Sequence, residues 1–289
     1  MTYPVIDAHQ HVWDPALAEY SWLGPELAPI DRAMSFEDLA PELRSAGVDF
    51  TVQVQSADNP EDTALMRASA AAHPEVAGIV GFAPLHDAEG TAATLASWSQ
   101  DSLMVGVRNL IHNKPDPDWL LKPEVDAALA VLEDHDVPLD IVAVLPRHLE
   151  LIPILSQRHP RLKMVIDHLA KPPIGLHSSE PWDALMTRAA ENPLVFGKVS
   201  GLYSATADMA AWSTESIRPF FDRALDLFGS RRLMYGGDWP ISVLGGGYTR
   251  VWNGLTPLFD GLDQTEREWI LGRSAADFYA LDPARLSVA

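Results

Sequence analysis

The stretch "IDAHQHVWD", residues 6–14, places two histidines, His9 and His11, one position apart at the end of a short apolar run. Side chains alternate along a strand, so this pattern turns His9 and His11 to one face and Ala8 and Gln10 to the other. Two imidazoles on one strand face can hold a metal ion, or they can be hydrogen-bonded structural residues. The remainder of the chain decides between these two interpretations.

Strand-like runs rich in valine and isoleucine recur along the whole chain. With the first run they cover residues 4–12, 50–56, 76–85, 104–111, 138–144, 162–169, 194–201 and 232–239. The segments between them carry helix signals, such as a capping-box pattern at Ser35 and Asp38 closed by Gly47, and helical periodicity over 124–136 and 215–229. Eight strand–helix repeats predict an α/β fold of the (β/α)8 TIM-barrel type. An open doubly wound sheet is the competing interpretation, but no glycine-rich fingerprint follows the first strand.

A single domain spanning residues 1–289 is expected, because no Ser/Gly linker, charge block or low-complexity tract divides the chain. The connection from Trp13 to Met34 is longer than a normal strand-to-helix loop, so we expect it to cover the functional site. The residues before Val5 are too few for a secretory signal, and no apolar run approaches the roughly 20 residues that span a bilayer. Together these observations predict a cytoplasmic protein.

The chain carries a net charge of −19 and contains no cysteine. This charge argues against nucleic acid and anionic membrane surfaces as partners, because both require clustered lysine and arginine. Without cysteine, a thiolate metal site and a cysteine nucleophile are both excluded. A small-molecule substrate is therefore the expected partner, and the sequence leaves the oligomeric state open.

Polar side chains suited to metal binding or proton transfer occur at or near the ends of the predicted strands, although the strands are otherwise apolar. In a barrel of this type the chemistry takes place at the carboxyl ends of the strands. The residues concerned are His9, His11, Gln53, Gln55, Arg108, His112, Asp140, His168, Lys198 and Asp238. A lone histidine in an apolar run is usually structural, but His9 and His11 together with His168 and Asp238 favour a site.

Three charged neighbours have two interpretations each. Asp7 shares the predicted strand face of His9 but lies deeper, so we expect it to orient a histidine or to pair with Lys198. Lys198 lies within an apolar strand and needs a carboxylate partner, either Asp140 or Asp7; a structural ion pair and a substrate contact both remain open for it. Asp167 is either part of the site or a helix-capping group.

Three tryptophans lie outside the helical segments. Trp13 and Trp239 follow strand ends, and Trp22 lies in the long connection after the first strand. From these positions we expect them to form a flat apolar wall for a ring-shaped ligand.

Five motifs carry a family resemblance over nearly the whole chain. In order they are "DAHQHVW" (7–13), "VGVRNLIHNKPDPDWLL" (105–121), "IDHLAKPPI" (166–174), "GKVSGL" (197–202) and "MYGGDWP" (234–240). The sequence resembles the amidohydrolase superfamily of the amidohydrolase 2 type. Within it, the sequence is most similar to the branch of metal-dependent barrel hydrolases that contains L-fuconolactonase, L-rhamnonolactonase and 2-pyrone-4,6-dicarboxylate lactonase. The resemblance implies that His9, His11, His168 and Asp238 hold one divalent metal ion, since no carboxylatable lysine ends strand four.

The resemblance implies hydrolysis of a lactone ring by an activated water. Zinc on His9, His11 and His168 would acidify this water, and Asp238 would take its proton and return it to the ring oxygen. Arg108 would hold the carbonyl oxygen. Further substrate contacts are expected from Gln55, His112 and Lys171. Some lactonases of this branch work without metal, and the same four residues would then act through hydrogen bonding and proton transfer.

Strand four departs from the pattern of the branch. Relatives often have a histidine directly after the arginine, whereas here Asn109 follows Arg108 and the histidine is His112. The resemblance therefore names no single lactone. Two other functions remain open: a metal-dependent decarboxylase of an unsaturated or aromatic acid, and a non-catalytic barrel that binds a sugar acid.

Overall fold

A computed structural model describes residues 3–287, and within this range eight strands alternate with helices. The strands are β1 (Ile6–Gln10), β2 (Phe50–Val54), β3 (Val76–Gly81), β4 (Met104–Asn109), β5 (Leu139–Ile141), β6 (Met164–Ile166), β7 (Val195–Val199) and β8 (Leu233–Tyr235). The α-helices are α1 (Phe36–Ala46), α2 (Pro60–Ala72), α3 (Ala88–Trp98), α4 (Pro123–Asp134), α5 (Pro146–Arg158), α6 (Trp182–Ala190), α7 (Thr214–Phe228), α8 (Tyr248–Leu255), α9 (Gln264–Glu268) and α10 (Ser274–Phe278). Each strand pairs in parallel with the next, so the predicted (β/α)8 barrel is confirmed.

The barrel closes between β1 and β8 through residues just beyond these strands. The His11 N–H donates to the Trp239 carbonyl at 2.7 Å, and the Asp238 N–H donates to the His9 carbonyl at 2.8 Å. Gln10 and Trp239 form a parallel bridge at the same place. The seam therefore brings the histidines of β1 beside the aspartate that follows β8.

Local sequence signals predict where the strands and helices lie, but the strands are shorter than the apolar runs that predict them. In α1, the Asp38 carboxylate accepts the Ser35 N–H at 3.3 Å, and Gly47 ends the helix with φ 69°. In the sixth run, 162–169, only Met164–Ile166 is strand, and the chain turns out of the sheet directly afterwards. The residues that follow each strand are thus free to build the mouth of the barrel.

A β-bulge in β1 changes which side chains face the barrel interior. Asp7 pairs with Thr51 and Gln10 pairs with Gln53, so β1 has one residue more than β2 over this span. Strict alternation fails here. Asp7 accepts the hydroxyl of Tyr248 in α8 at 2.9 Å, whereas the ring of His9 contacts other strands of the barrel.

The C-terminal segment fills the barrel interior below the site. Phe278 and Tyr279 pack with Ile6, Val52 and Val165 in one buried cluster. A larger cluster lies between the sheet and helices α4 to α7. In the described part of the chain, no helix is long and apolar enough to cross a membrane.

Candidate active site

Four of the predicted residues meet at the carboxyl ends of β1, β6 and β8. His9, His168 and Asp238 each offer one ligand atom, and these atoms lie within 4.8 Å of one another. The Asp238 Oδ1 atom is 3.7 Å from the His9 Nε2 and 3.6 Å from the His11 Nε2. The His9 ring centroid is 4.7 Å from that of His11 and 4.6 Å from that of His168. The structure therefore places a carboxylate among three imidazoles.

The backbone that presents His168 and Asp238 is left-handed. His168 has φ 56°, the next three residues also have positive φ, and Asp238 has φ 54°. For a residue with a Cβ this conformation costs about 1–2 kcal/mol. Such strain persists only where the surroundings fix it, and it is concentrated at functional sites. The sharp turn directs the chain away from β6 and leaves His168 at the barrel mouth.

Gly201, which follows β7, makes room for both side chains. Its φ is 55°, and a Cβ at this position would lie 2.5 Å from the His168 Nδ1 and 2.6 Å from the Asp238 Oδ2. No side chain fits in that space without displacing one of the two groups. Gly201, the second glycine of "GKVSGL", is therefore part of the site. From the sequence, only the lysine of this motif is a candidate site residue.

Two of the histidines, His9 and His11, each direct one ring nitrogen toward Asp238. The His11 Nδ1–H donates to the Val54 carbonyl at 2.6 Å, because a carbonyl oxygen can only accept, and this bond turns Nε2 toward Asp238. The His9 Nε2 is buried and has no hydrogen-bond partner among residues 3–287. An unpartnered buried polar atom costs about 1–3 kcal/mol. A cation bound beside Asp238 would satisfy this nitrogen.

Burial lowers the pKa of two of the histidines, His9 and His168. It lowers the pKa of His9 well below its ordinary value. Burial also lowers the pKa of His168 to about 4, although the charges of Asp238 and Asp167 act in the opposite direction. Neutral imidazoles are the form that binds metal ions. Both residues are thus in the ligand form at neutral pH.

The buried charges around these histidines do not balance. Burial raises the pKa of Asp7 to about 6, so this carboxylate is still ionised at neutral pH. The network contains four carboxylates and two cations, all buried, namely Asp7, Asp140, Asp167 and Asp238 with Arg108 and Lys198. Asp62 is a further buried carboxylate, so negative charges outnumber positive ones here, and a bound cation would reduce this excess. Three histidines and a carboxylate are a ligand set that suits zinc, so the residues present fit such an ion.

Lys198 and Asp167 lie beneath the histidines. The Lys198 Nζ is 2.5 Å from the Asp140 Oδ2, 3.1 Å from the Asp167 Oδ1 and 3.0 Å from the His9 Nδ1. Lys198 is fully buried, so it forms an ion pair and does not contact substrate. Asp167 also accepts the Arg108 Nη1–H at 2.9 Å, which makes it a member of the site and not a helix cap. Its position directly before His168 is the signal that could have identified it.

A cleft of about 170 Å³ opens above the four central residues. Predicted residues in its wall are His11, Trp13, Trp22, Arg108, His112, His168, Lys171 and Asp238. Sequence reasoning misses Ser56, Leu110, Val142, Val144, Ser204 and Ile241, which also line it. The long connection after β1 supplies Trp13 and Trp22, as expected for a segment that covers the site. Their ring centroids are 5.2 Å apart in an edge-to-face arrangement.

Two predicted substrate contacts do not line the cleft. Gln55 is fully buried, and its amide donates to the Arg108 carbonyl at 2.9 Å and to the Asp58 Oδ1 at 3.3 Å. Trp239 is 2% exposed and packs with Trp13 in a hydrophobic cluster. Both residues follow the end of a strand, where alternation no longer fixes the direction of a side chain. The structure therefore places these two residues behind the wall of the cleft and gives their predicted substrate contacts no support.

Arg108 keeps donors available for a ligand. Its Nε and Nη2 both donate to the Gln55 carbonyl, and its Nη1 donates to Asp167. A guanidinium has five N–H donors, so one hydrogen on each terminal nitrogen remains. Because Arg108 lines the cleft, these hydrogens can reach an oxygen of a bound molecule.

The chain is thus a parallel eight-stranded barrel with a histidine pair at the end of β1, a histidine after β6 and an aspartate after β8, which are residues that could hold a metal ion. The chain belongs to the amidohydrolase family, whose sequence model matches residues 6–281. An L-fucono-1,5-lactonase from Burkholderia ambifaria is 35% identical over 283 residues, which is 96% of each chain. An L-fucono-1,5-lactonase from Burkholderia multivorans is 29% identical over 96% of this chain and 97% of its own. An amidohydrolase from Burkholderia multivorans, crystallised with bound zinc, superposes with a TM-score of 0.90 at 27% identity and covers 96% of this chain and 100% of its own.

Proposed function

We propose that this protein opens the ring ester of an aldonolactone by hydrolysis, and that L-fucono-1,5-lactone is the first substrate to test. The observation that carries this proposal is the cluster of His9, His11, His168 and Asp238 at the base of a cleft that also presents Arg108. The similarity to L-fucono-1,5-lactonases over 96% of the chain supports it.

The cleft limits the size of the substrate. Its volume of about 170 Å³ is below the roughly 300–1,000 Å³ of typical small-molecule sites, so a single ring is the expected occupant. The wall combines indoles and aliphatic groups with a few polar side chains. This mixture suits a sugar lactone, which has an apolar ring face and hydroxyl groups at its edge.

Three histidines and Asp238 would hold a divalent ion, for which zinc is the first candidate. When bound, such an ion supplies Lewis-acid polarisation of a water molecule and of an ester carbonyl at neutral pH. The ligand set and the excess of buried negative charge support this assignment. So does the zinc found in the similar amidohydrolase from Burkholderia multivorans.

The chain's own residues perform the proton transfers and hold the substrate. Asp238 accepts the proton of the attacking water and returns it to the ring oxygen as the ester bond breaks. The Tyr203 hydroxyl donates to the Asp238 Oδ2 at 2.8 Å and fixes the orientation of this carboxylate. Arg108 uses its two remaining N–H groups to stabilise the negative charge on the carbonyl oxygen. His112 and Lys171 lie in the cleft wall, where they can bind hydroxyl groups.

A panel of aldonolactones and pyrone lactones, assayed with a pH indicator, tests the proposal. We expect turnover of at least one aldonolactone, about one equivalent of divalent metal in the purified protein, and loss of activity after chelation. Full activity after complete metal removal would support the metal-independent mechanism instead. Failure across the panel would refute the lactonase proposal. Carbon dioxide release from an added carboxylate would then favour the decarboxylase, and thermal stabilisation without product would favour a binding protein.

A further inference from the structure

A chain of buried polar groups runs from the candidate metal ligands down through the barrel. At its lower end, the Tyr279 hydroxyl lies 2.9 Å from both carboxylate oxygens of Asp140. Asp140 pairs with Lys198 at 2.5 Å, and Lys198 in turn contacts Asp167 and the Nδ1 atom of His9. None of these side chains lines the cleft, and none is more than 2% exposed.

Fold stability alone gives a weak reason for this arrangement. Apolar side chains of similar volume often stabilise a protein as well as a buried ion pair does, because the desolvation of two charges offsets their attraction. The barrel interior is otherwise filled with aliphatic and aromatic groups such as Val52, Val165 and Phe196. The polar groups that its ammonium contacts therefore explain a lysine at position 198 better than packing does.

Two contacts of Lys198 are with groups of the site. Its ammonium lies against the Nδ1 edge of His9, whose opposite nitrogen faces Asp238. It also contacts the carboxylate oxygen of Asp167 that lies 3.4 Å from the same histidine nitrogen. The His9 ring is thus held from below by one cation and one anion, both fixed in turn by further partners.

We propose that Lys198 is a positioning residue for the metal site, and that Asp140 and Tyr279 hold it in place from the C-terminal segment. This inference rests on the proposed metal-dependent lactonase. Lys198 holds the Asp167 carboxylate, which lies 3.4 Å from the His9 Nδ1 and can accept its proton, so that the Nε2 atom of His9 keeps its lone pair for the metal position. Outer-shell partners of this kind typically change metal affinity by about 10- to 100-fold when they are removed.

Two variants separate positioning from simple charge balance. Lys198→Met keeps the aliphatic stem and removes the ammonium, which leaves Asp140 without its cation. Lys198→Met combined with Asp140→Asn removes both charges together and restores the net charge of the wild-type network. We expect thermal stability to fall in the single variant and to recover in the double variant. Zinc affinity, measured by competition with a chromophoric chelator, should stay about 10- to 100-fold weaker in both.

The control is Arg232→Met. Arg232 is a partly buried cation that donates to carbonyls at the other end of β7, including those of Ala190 and Asn192. Its removal should lower thermal stability and leave zinc affinity unchanged. In the Lys198 variants we also expect a lower kcat with an unchanged KM for the lactone, because Lys198 lies outside the cleft. A general loss of stability would not produce this split.

Each of the remaining outcomes contradicts either the proposed role of Lys198 or the proposed metal. Wild-type zinc affinity in the double variant would show that Lys198 only neutralises Asp140, and would overturn the inference. If Lys198→Met does not fold, Tyr279→Phe provides the test, and unchanged zinc affinity and kcat in that variant would also overturn it. If the wild-type protein binds no zinc, the proposed metal fails separately, and the change in kcat at constant KM then decides the role of Lys198.

Discussion

Replacing Gly201 with alanine should damage the site far more than the fold. A Cβ at this position would lie 2.5 Å from the His168 Nδ1 and 2.6 Å from the Asp238 Oδ2, whereas ordinary contact begins near 3.4 Å. Each group would have to move by about 0.8–0.9 Å to relieve the overlap. A misplacement of about 1 Å can cost on the order of 100-fold in rate, or about 2.7 kcal/mol of transition-state stabilisation.

The left-handed φ of Gly201 adds a separate cost to stability, of about 1–2 kcal/mol for alanine. Gly47 provides a matched control, because it also has positive φ, at 69°, but a Cβ there would meet nothing within 4 Å. We expect Gly47→Ala and Gly201→Ala to lower the free energy of unfolding, as measured by urea denaturation. Only Gly201→Ala should reduce kcat/KM in the lactone assay. Wild-type kcat/KM in a folded Gly201→Ala protein would show that a Cβ at this position does not displace His168 or Asp238, and would refute the prediction.

Three further substitutions and one control, Tyr235→Phe, test other parts of the molecule. Asp238→Asn should lower kcat by about 100- to 10,000-fold, because it removes the proposed proton acceptor, while circular dichroism shows a folded protein. Trp22→Ala should raise KM for the lactone with less effect on kcat, since the indole forms part of the cleft wall and no proton transfer depends on it. Tyr248→Phe should lower the free energy of unfolding by about 1–3 kcal/mol, because it leaves a buried oxygen of Asp7 without its donor. Tyr235→Phe should change stability little, since the Tyr235 hydroxyl has no hydrogen-bond partner among residues 3–287.

The barrel could be predicted because its signals are local. Each apolar run contains a strand, and some of the intervening helices have cap residues that act within a few positions, such as Ser35 and Gly47 for α1 and Asn59 for α2. The topology then follows from the repeat, because parallel strands joined by helices pair in chain order. The rule that polar groups gather at the carboxyl ends of barrel strands is enough to group His9, His11, His168 and Asp238.

Sequence-based prediction of side-chain positions is weakest where the backbone departs from regular strand geometry. The bulge in β1 moves Asp7 out of the face of His9, and no sequence pattern around residues 6–10 shows that an extra residue is present. Gln55 and Trp239 lie just past strand ends, so alternation cannot assign them to the cleft. The role of Asp167 depends on Arg108 and Lys198, which are distant in sequence and meet only after the barrel closes.

Closure of the barrel and assembly of the site are the same structural event. The hydrogen bonds that join β1 to β8 are made by His9, His11, Asp238 and Trp239, which include three of the four central residues. The left-handed backbone of Asp238 is held by its N–H bond to the His9 carbonyl, so the strain at the aspartate depends on an intact seam. Neither residue can move without disturbing the last strand pairing of the barrel. The geometry of the site is therefore set by the strand pairing that closes the barrel.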